Sequence, residues 1–304
     1  MDDLNNEINN KRSFKLYWML DIILILGVLF IFMHYIFSAP IGSRDKTIHI
    51  SSSDSLIKIS QDLKKNNIIK SSYIFKNLMF ILSKDKKIHY GDYIFKENAS
   101  VLDVSLQIAQ GKHGVIPIKI TLTEGMTNKE MAKLLADKLP VFRSDAFLSD
   151  PRSKQGYLFP DTYFFYPLTT TSEVLEEMTA DFKKRISGVN SEISSSGKSL
   201  SDIIIMASII EKEASGKNDS SIISGILWKR IKLGMPLQVD ASPSTYKVAN
   251  LPESPISNPG LLAINSALHP EDSPYLFYLH DKNGLVHYAT NFSQHKINIA
   301  RYLK

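Results

Sequence analysis

The sequence contains no cysteine among its 304 residues. This absence excludes disulfide bonds, thiol catalysis and any metal site that depends on thiolates. The P-loop, GxGxxG and HExxH signatures do not occur either. Four histidines near the C-terminal end are scattered, at spacings that do not indicate the ligands of one metal ion: His269, His280, His287 and His295. We therefore predict neither a metal nor any other cofactor.

Dense runs of Lys and Arg with interleaved aromatic residues are also missing, which argues against nucleic acid as a partner. The formal net charge is nevertheless +5, and a positive balance suits a polyanionic envelope. With 43% hydrophobic and 22% charged residues, the chain can build an ordinary core. Its length suggests two domains.

A long apolar run, LYWMLDIILILGVLFIFMHYIF, occupies residues 16–37 and has about the length that crosses a bilayer as a helix. Asp21 and His34 lie near its two ends, where a polar side chain reaches the headgroups at a lower cost than at the centre. A cleaved signal peptide is the competing interpretation. Because the run is long and Pro40 follows the small residues at its end, we predict an uncleaved membrane anchor.

The basic residues around this run favour a cytoplasmic N-terminus, since three precede it and two follow it: Lys11, Arg12 and Lys15 against Arg44 and Lys46. Residues 1–15 would then be a cytoplasmic tail and residues 38–46 a short tether. The rest of the chain would lie outside the cytoplasm after a single pass.

Short strands and short helices follow the tether, which predicts an α+β fold. A small α+β module at 47–116 would precede a larger α+β domain at 117–304. The predicted elements of the module are a strand at 47–50, a helix capped by Ser53 or Asp54, a helix at 73–82, a strand at 90–95 and a helix at 100–109. Those of the larger domain are a strand at 115–122, a helix opened by the capping box Thr127–Glu130, helices at 172–186, 200–214, 221–233 and 293–302, and a hairpin at 275–290. Ser199 or Ser201 would cap the helix at 200–214, and Gly216 would end it.

The stretch IIIMASIIEKEAS, at 203–215, joins eight nearly apolar residues to two carboxylates, Glu211 and Glu213. A carboxyl group that is half-buried at such a junction has a raised pKa and can act as a general acid near neutral pH. Helical spacing places small residues beside Glu211, which leaves room for a groove, and large apolar residues beside Glu213, which would fill it. This ranking favours Glu211. The competing interpretation is that both carboxylates are solvated at the end of a core helix.

Two further segments carry polar or aromatic side chains in a distinctive pattern, and the first offers groups that could bind a carbohydrate. QGYLFPDTYFFYP, at 155–167, is rich in aromatic rings on which the C–H faces of sugars stack, and its Asp161 offers an acceptor for hydroxyl groups. In GMPLQVD, at 234–240, Gln238 and Asp240 alternate along a segment that we expect to be extended. Both side chains would therefore face the same side.

Six motifs occur in order: TEG at 123–125, GYLFPDTY at 156–163, ASIIEKE at 207–213, GMPLQVD at 234–240, TYK at 245–247 and ISNPG at 256–260. With these motifs the chain resembles the YceG-like family, the MltG-type endolytic murein transglycosylases of bacterial inner membranes. The resemblance covers nearly the whole chain. It implies that the small module is LysM-like and that the domain at 117–304 is catalytic.

The resemblance also implies the reaction, which is that of a lytic transglycosylase, a carbon–oxygen lyase acting on polysaccharide. Nascent peptidoglycan strands would be cleaved between N-acetylmuramic acid and N-acetylglucosamine, leaving anhydromuramic ends and limiting strand elongation. Glu211 would be the single acid/base, because the proton that it gives to the leaving oxygen is replaced from the sugar's own primary hydroxyl. Peptidoglycan synthases would be partners. The residues implied to line the cleft, bind substrate or orient Glu211 are Glu213, Gln238, Asp240, Tyr246, Asn258, Tyr157 and Asp161.

The chain departs from the family pattern at three places, of which the short connection would remove part of one wall of the cleft. Gln155 stands where Glu is common, Ser244 where Asn is common, and the connection at 240–246 is short. Two alternatives stay open: a non-catalytic, membrane-anchored protein that binds peptidoglycan as a scaffold, and a hydrolase that pairs Asp161 or Asp240 with Glu211.

Overall fold

The computed structural model describes residues 2–42, 44–82, 88–214 and 217–303. The chain divides into two compact units, Met1–Ile116 and Pro117–Lys304. Each unit combines helices with antiparallel strand pairs, so the α+β class expected from the sequence is confirmed. Gly216, expected to end a helix, lies outside the described residues.

The first unit begins with helix α1, Asp2–Phe37. Its segment Tyr17–Tyr35 is long and apolar enough to cross a membrane, and none of that segment is buried against the rest of the protein. Among the described residues it is the one helix that meets this test. The helix predicted at 16–37 is therefore present.

The small module that follows packs three helices against a two-stranded sheet. Strand β1 pairs antiparallel with β2, with Ile48 opposite Tyr93. Ser55 caps α2 by accepting a hydrogen bond from the Lys58 N–H, so the predicted caps Ser53 and Asp54 are wrong; Asp54 instead accepts from the Ser51 N–H. The elements are β1 (Lys46–Ile50), α2 (Leu56–Lys65), α3 (Ser72–Leu82), β2 (Gly91–Phe95) and α4 (Val101–Ala109).

The second unit has two strand pairs and eight described α-helices. Strand β3 pairs antiparallel with β4, and β5 with β6. Strand β3 begins only after Pro117, because proline has no N–H to give to a sheet ladder. The bounds are β3 (Ile118–Thr121), α5 (Asn128–Lys138), α6 (Ser144–Ser149), β4 (Thr162–Phe165), α7 (Thr171–Ser187), α8 (Asn190–Ser195), α9 (Leu200–Glu213), α10 (Lys217–Lys232), α11 (Leu261–Leu268), β5 (Phe277–His280), β6 (Val286–Ala289) and α12 (Phe292–Tyr302).

Helix α9 is the centre of the second unit. Every residue from 203 to 210 is buried, and α10 and α11 pack against it. Ser199 is its N-cap and forms a reciprocal capping box with Asp202, which decides between the two serines predicted. Helix α9 is buried until its last turn. Glu211 and Glu213 therefore lie at the point where its C-terminal end leaves the core.

Candidate active site

The two glutamates at the end of α9 point to different surroundings, as the helical spacing predicts. Glu211 Oε2 accepts a hydrogen bond from the Gly260 N–H at 2.9 Å. Glu213 Oε2 accepts one from the Tyr278 hydroxyl at 3.1 Å. The loop before α11 therefore covers one carboxyl, and strand β5 contacts the other.

A cavity of about 570 Å³ lies on the Glu213 side. Glu213, Gln238, Asp240 and Tyr246 all line it, so the fold brings together four of the residues singled out in the sequence. The expectation that large apolar neighbours fill the space beside Glu213 is wrong. Helical spacing describes only the neighbours of Glu213 along α9. The walls of the cavity come instead from the segment after α10, from β5 and from α12.

Gln238 and Asp240 reach the cavity, but not from a regular extended segment. Gln238 has a left-handed backbone with φ of 54°, which non-glycine residues seldom adopt. Arg230, itself buried, fixes this conformation: its guanidinium donates to Gln238 Oε1 and to the Pro236 carbonyl. Nothing in the sequence pattern distinguishes Arg230 from the other basic residues of α10.

The surroundings of Glu213 favour the protonated form of its carboxyl. Burial raises the pKa of its carboxyl, and the charge of Asp240 raises it further, while the hydrogen bond from Tyr278 opposes both effects. The Tyr246 hydroxyl donates a hydrogen bond to Asp240 Oδ1.

Glu211 is half-buried between two loops. Burial and the charge of Glu124 raise the pKa of its carboxyl, while the Gly260 N–H and Lys212 lower it. Gly260 allows the close approach of Glu124, because a Cβ at that position would lie 1.7 Å from Glu124 Oε1. Sequence reasoning placed Glu124 in the TEG motif but gave it no role. The carboxylates of Glu211 and Glu124 thus both pack against Gly260.

Metal ligation has no support in this arrangement. Across residues 2–42, 44–82, 88–214 and 217–303, no three carboxylate or imidazole groups come together as the ligands of a metal ion would. Acid–base chemistry by side chains is what the groups at the cavity can perform.

A sequence model described as the YceG-like family matches residues 48–244 and 242–301. The chain belongs to this family. It is 26% identical to the "endolytic murein transglycosylase" of Bacillus subtilis (strain 168), a match that covers 87% of each chain. It is 24% identical to the protein of the same name from Streptococcus pneumoniae serotype 2, where 87% of this chain spans 60% of the relative.

The crystal structure of a yceG-like protein from Listeria monocytogenes has the same fold. The two chains superpose with a TM-score of 0.55 at 24% identity, and the match covers 84% of this chain and 99% of that one. The YceG-like fold therefore extends over most of the chain described above.

Asn258, in the ISNPG motif of the family, is fully buried and does not line the cavity. Its Oδ1 accepts from the backbone N–H groups of Gly156 and Leu158, at 2.8 and 3.2 Å. Its Nδ2 donates to the Met126 carbonyl at 3.0 Å and to Asn128 Oδ1 at 2.7 Å. Asn258 thus joins its own loop to residues 156–158 and to residues 126–128, and positions the loop that reaches Gly260.

Gln155 holds the same junction together. Its Nε2 donates to the Pro255 carbonyl at 3.0 Å, and its Oε1 accepts from the Asn128 N–H at 3.3 Å. An amide can do both, because it carries a donor and an acceptor, whereas a carboxylate can only accept. Ser244 lies within hydrogen-bond distance of Ser242, at 3.2 Å between the hydroxyl oxygens.

Tyr157 and Asp161 lie elsewhere than the Glu213 cavity. The Tyr157 ring packs on Phe182, with 5.2 Å between ring centroids, and is half-buried in the core. Asp161 forms an ion pair with Arg185 at 2.6 Å and borders a separate cavity of about 360 Å³. The rings of the aromatic segment do not line the Glu213 cavity, and Tyr157, Phe159, Tyr163 and Phe165 pack in the hydrophobic cores of the second unit.

Gly156→Ala is expected to lower the free energy of unfolding by about 1–3 kcal/mol, through overpacking and a left-handed backbone. Gly156 has φ of 88°, and an added Cβ would lie 2.6 Å from Pro255 Cγ and 2.9 Å from Ile204 Cγ2. Urea unfolding measures the change. Gly188→Ala is the matched control, because Gly188 has a right-handed backbone and its nearest atom would be 3.5 Å away. Equal stabilities for the two variants would contradict this packing.

Proposed function

We propose that this protein is a lytic transglycosylase that cleaves peptidoglycan glycan strands in the Glu213 cavity. The cavity supports this proposal most strongly. In it the half-buried carboxyl of Glu213, whose pKa is raised, lies beside Asp240, Gln238 and Tyr246. The same activity is supported by the relatives named endolytic murein transglycosylase, which match this chain over most of its length.

In the proposed reaction the protonated Glu213 gives its proton to the glycosidic oxygen as the bond from that oxygen to the sugar carbon breaks. The resulting carboxylate then takes the proton of the sugar's primary hydroxyl, whose oxygen forms the new bond to the same carbon. Glu213 ends protonated again. One product strand carries an anhydro end and the other a free hydroxyl, so no water is consumed and a second catalytic carboxylate is not required.

The cavity is our reason for preferring Glu213 to Glu211 as the acid/base. Glu213 faces space that can hold sugar rings, next to hydrogen-bonding side chains. Glu211, the residue favoured from the sequence, accepts from Gly260 and packs against the loop that contains Glu124. We assign Glu213 as the acid/base and Glu211 as a positioning residue that joins α9 to the loop before α11.

We further propose that the protein is anchored in a membrane. Residues 16–37 would anchor it in the inner (plasma) membrane, with residues 1–15 in the cytoplasm and 38–46 as a tether. Residues 47–116 would be a LysM-like module and 117–304 the catalytic domain, outside the cytoplasm. Cleavage beside peptidoglycan synthases would limit the length of nascent strands.

Digestion of purified glycan strands by the full chain in detergent tests the activity, with the new ends identified by mass. Anhydro ends are expected. Reducing ends would instead indicate a hydrolase, and intact strands a protein that only binds the wall.

The activity is expected to fall as pH rises through the pKa of Glu213, because a general acid must start protonated. Burial and Asp240 place that pKa above 4.5, the ordinary value for glutamate. Asp240→Asn removes a charge that raises this pKa, so the alkaline limb of the pH–rate profile should move to lower pH. Asp272→Asn is the control, since the Asp272 side chain is 98% exposed and does not line the cavity. An unmoved limb in Asp240→Asn would contradict the assignment of Glu213.

A further inference from the structure

Helix α3 of the small module carries two apolar faces. One face enters the module core through Phe75 and Met79, which are buried. The other presents Tyr73, Phe80 and Ile81, which are 72%, 81% and 73% exposed. Positions seven and eight residues apart share a helix face, so these three side chains form one exposed stripe along an 11-residue helix.

Lys70 fixes the start of α3 to the end of α1. Its Nζ donates to the Tyr35 carbonyl at 3.1 Å and to Ser38 Oγ at 2.5 Å, and lies 4.5 Å from the centre of the Tyr35 ring. Tyr35 is the last residue of the apolar segment of α1. A cation is favoured at this place, because the carbonyls at the C-terminal end of a helix are negative.

A second contact holds the segment after α1 against the same region. Asn67 Nδ2 donates to the Ile41 carbonyl at 3.2 Å, while the Ile41 side chain is 96% exposed. Phe37 packs against the module core. The module therefore begins directly where the apolar helix ends, and α3 starts two residues after Lys70.

We propose that α3 lies on the surface of the bilayer that α1 crosses, with Tyr73, Phe80 and Ile81 inserted at the boundary between headgroups and acyl chains. This inference rests on the proposed membrane anchor. The polar region of a bilayer extends roughly 5–7 Å beyond the hydrocarbon on each side, so groups level with Tyr35 lie within it. Aromatic rings are favoured there, and Lys70 and Lys76 would face lipid phosphates. The partner of α3 would be the phospholipid of the leaflet that contains Tyr35.

Site-directed spin labelling of the full chain in phosphatidylcholine–phosphatidylglycerol liposomes tests this docking. The absence of cysteine means that each single-cysteine variant carries one label. Tyr73→Cys and Phe80→Cys probe the stripe, and Leu26→Cys probes the apolar segment of α1. Phe164→Cys is the matched control, an exposed aromatic position in the second unit. Collision rates with oxygen and with a water-soluble nickel chelate are measured for each label.

Labels at 73 and 80 are expected to collide with the nickel chelate several-fold less often than the label at 164, and more often with oxygen. If the label at 26 lies in lipid while those at 73 and 80 match the control, the docking is wrong and the anchor stands. If the label at 26 is itself exposed to water, both the anchor and the docking fail. Glycan cleavage by the same samples reports separately on the catalytic proposal.

Discussion

Glu213→Gln is expected to reduce glycan-strand cleavage by about 10²- to 10⁴-fold, the usual contribution of a general acid/base. Glutamine keeps the size of the side chain and can accept the hydrogen bond from Tyr278, but it cannot exchange a proton with the substrate. The rate of appearance of anhydro ends measures the loss. Thermal unfolding, followed by circular dichroism, should show that the variant remains folded.

Glu211→Gln is the matched control for this experiment, since it lies two positions away on the same helix turn and is also half-buried. Its amide oxygen can still accept from the Gly260 N–H, so most of the activity should remain. The reverse pattern, with activity lost in Glu211→Gln and kept in Glu213→Gln, would return the catalytic role to the residue that the sequence favoured.

Asn258→Ala is expected to lower the free energy of unfolding by about 3 kcal/mol or more, because four polar groups around this buried side chain each lose a hydrogen bond. The backbone N–H groups of Gly156 and Leu158, the Met126 carbonyl and the Asn128 side chain would all lose a hydrogen bond. Urea unfolding at neutral pH measures the change.

Asn250→Ala provides the comparison for that measurement. The Asn250 side chain accepts from the neighbouring Leu251 N–H in an exposed loop, so its loss should change the stability by less than about 0.5 kcal/mol. A small effect of Asn258→Ala would mean that the three segments, 126–128, 156–158 and 256–260, are held together by something other than this side chain.

Local signals in the sequence predicted most helices of the protein. The capping box Thr127–Glu130 opens α5 as expected, and α9 ends within one residue of its predicted limit. A capping box involves residues three apart and an amphipathic face repeats every three or four, so both are visible in a short window. The hairpin predicted at 275–290 is present as β5 and β6, and its turn and strands likewise lie within a short window.

The cavity could not be predicted in this way, because its walls come from segments that are far apart in sequence. Helical spacing showed that Glu211 and Glu213 diverge, but what each one meets depends on Gly260 and on Tyr278. Helix α11 was missed as well, since an eight-residue apolar stretch does not separate helix from strand by periodicity. Its packing on α9 places Gly260 beside Glu211.

The aromatic segment shows the limit of composition as a guide to function. Tyr163 and Phe165 belong to the buried core, and Asp161 pairs with Arg185. Aromatic residues and a carboxylate occur in a carbohydrate groove. They occur equally in a strand that packs on the core with one face and is exposed on the other. Only the position of the strand in the fold distinguishes the two.

The most direct test of the account is a parallel digest of purified glycan strands by the wild-type chain and by Glu213→Gln, with the new strand ends identified by mass. Anhydro ends should accumulate with the wild-type chain and be almost absent with the variant. Anhydro ends formed at the same rate by both, or reducing ends formed by the wild-type chain, would contradict the proposal that Glu213 is the acid/base of a lytic transglycosylase.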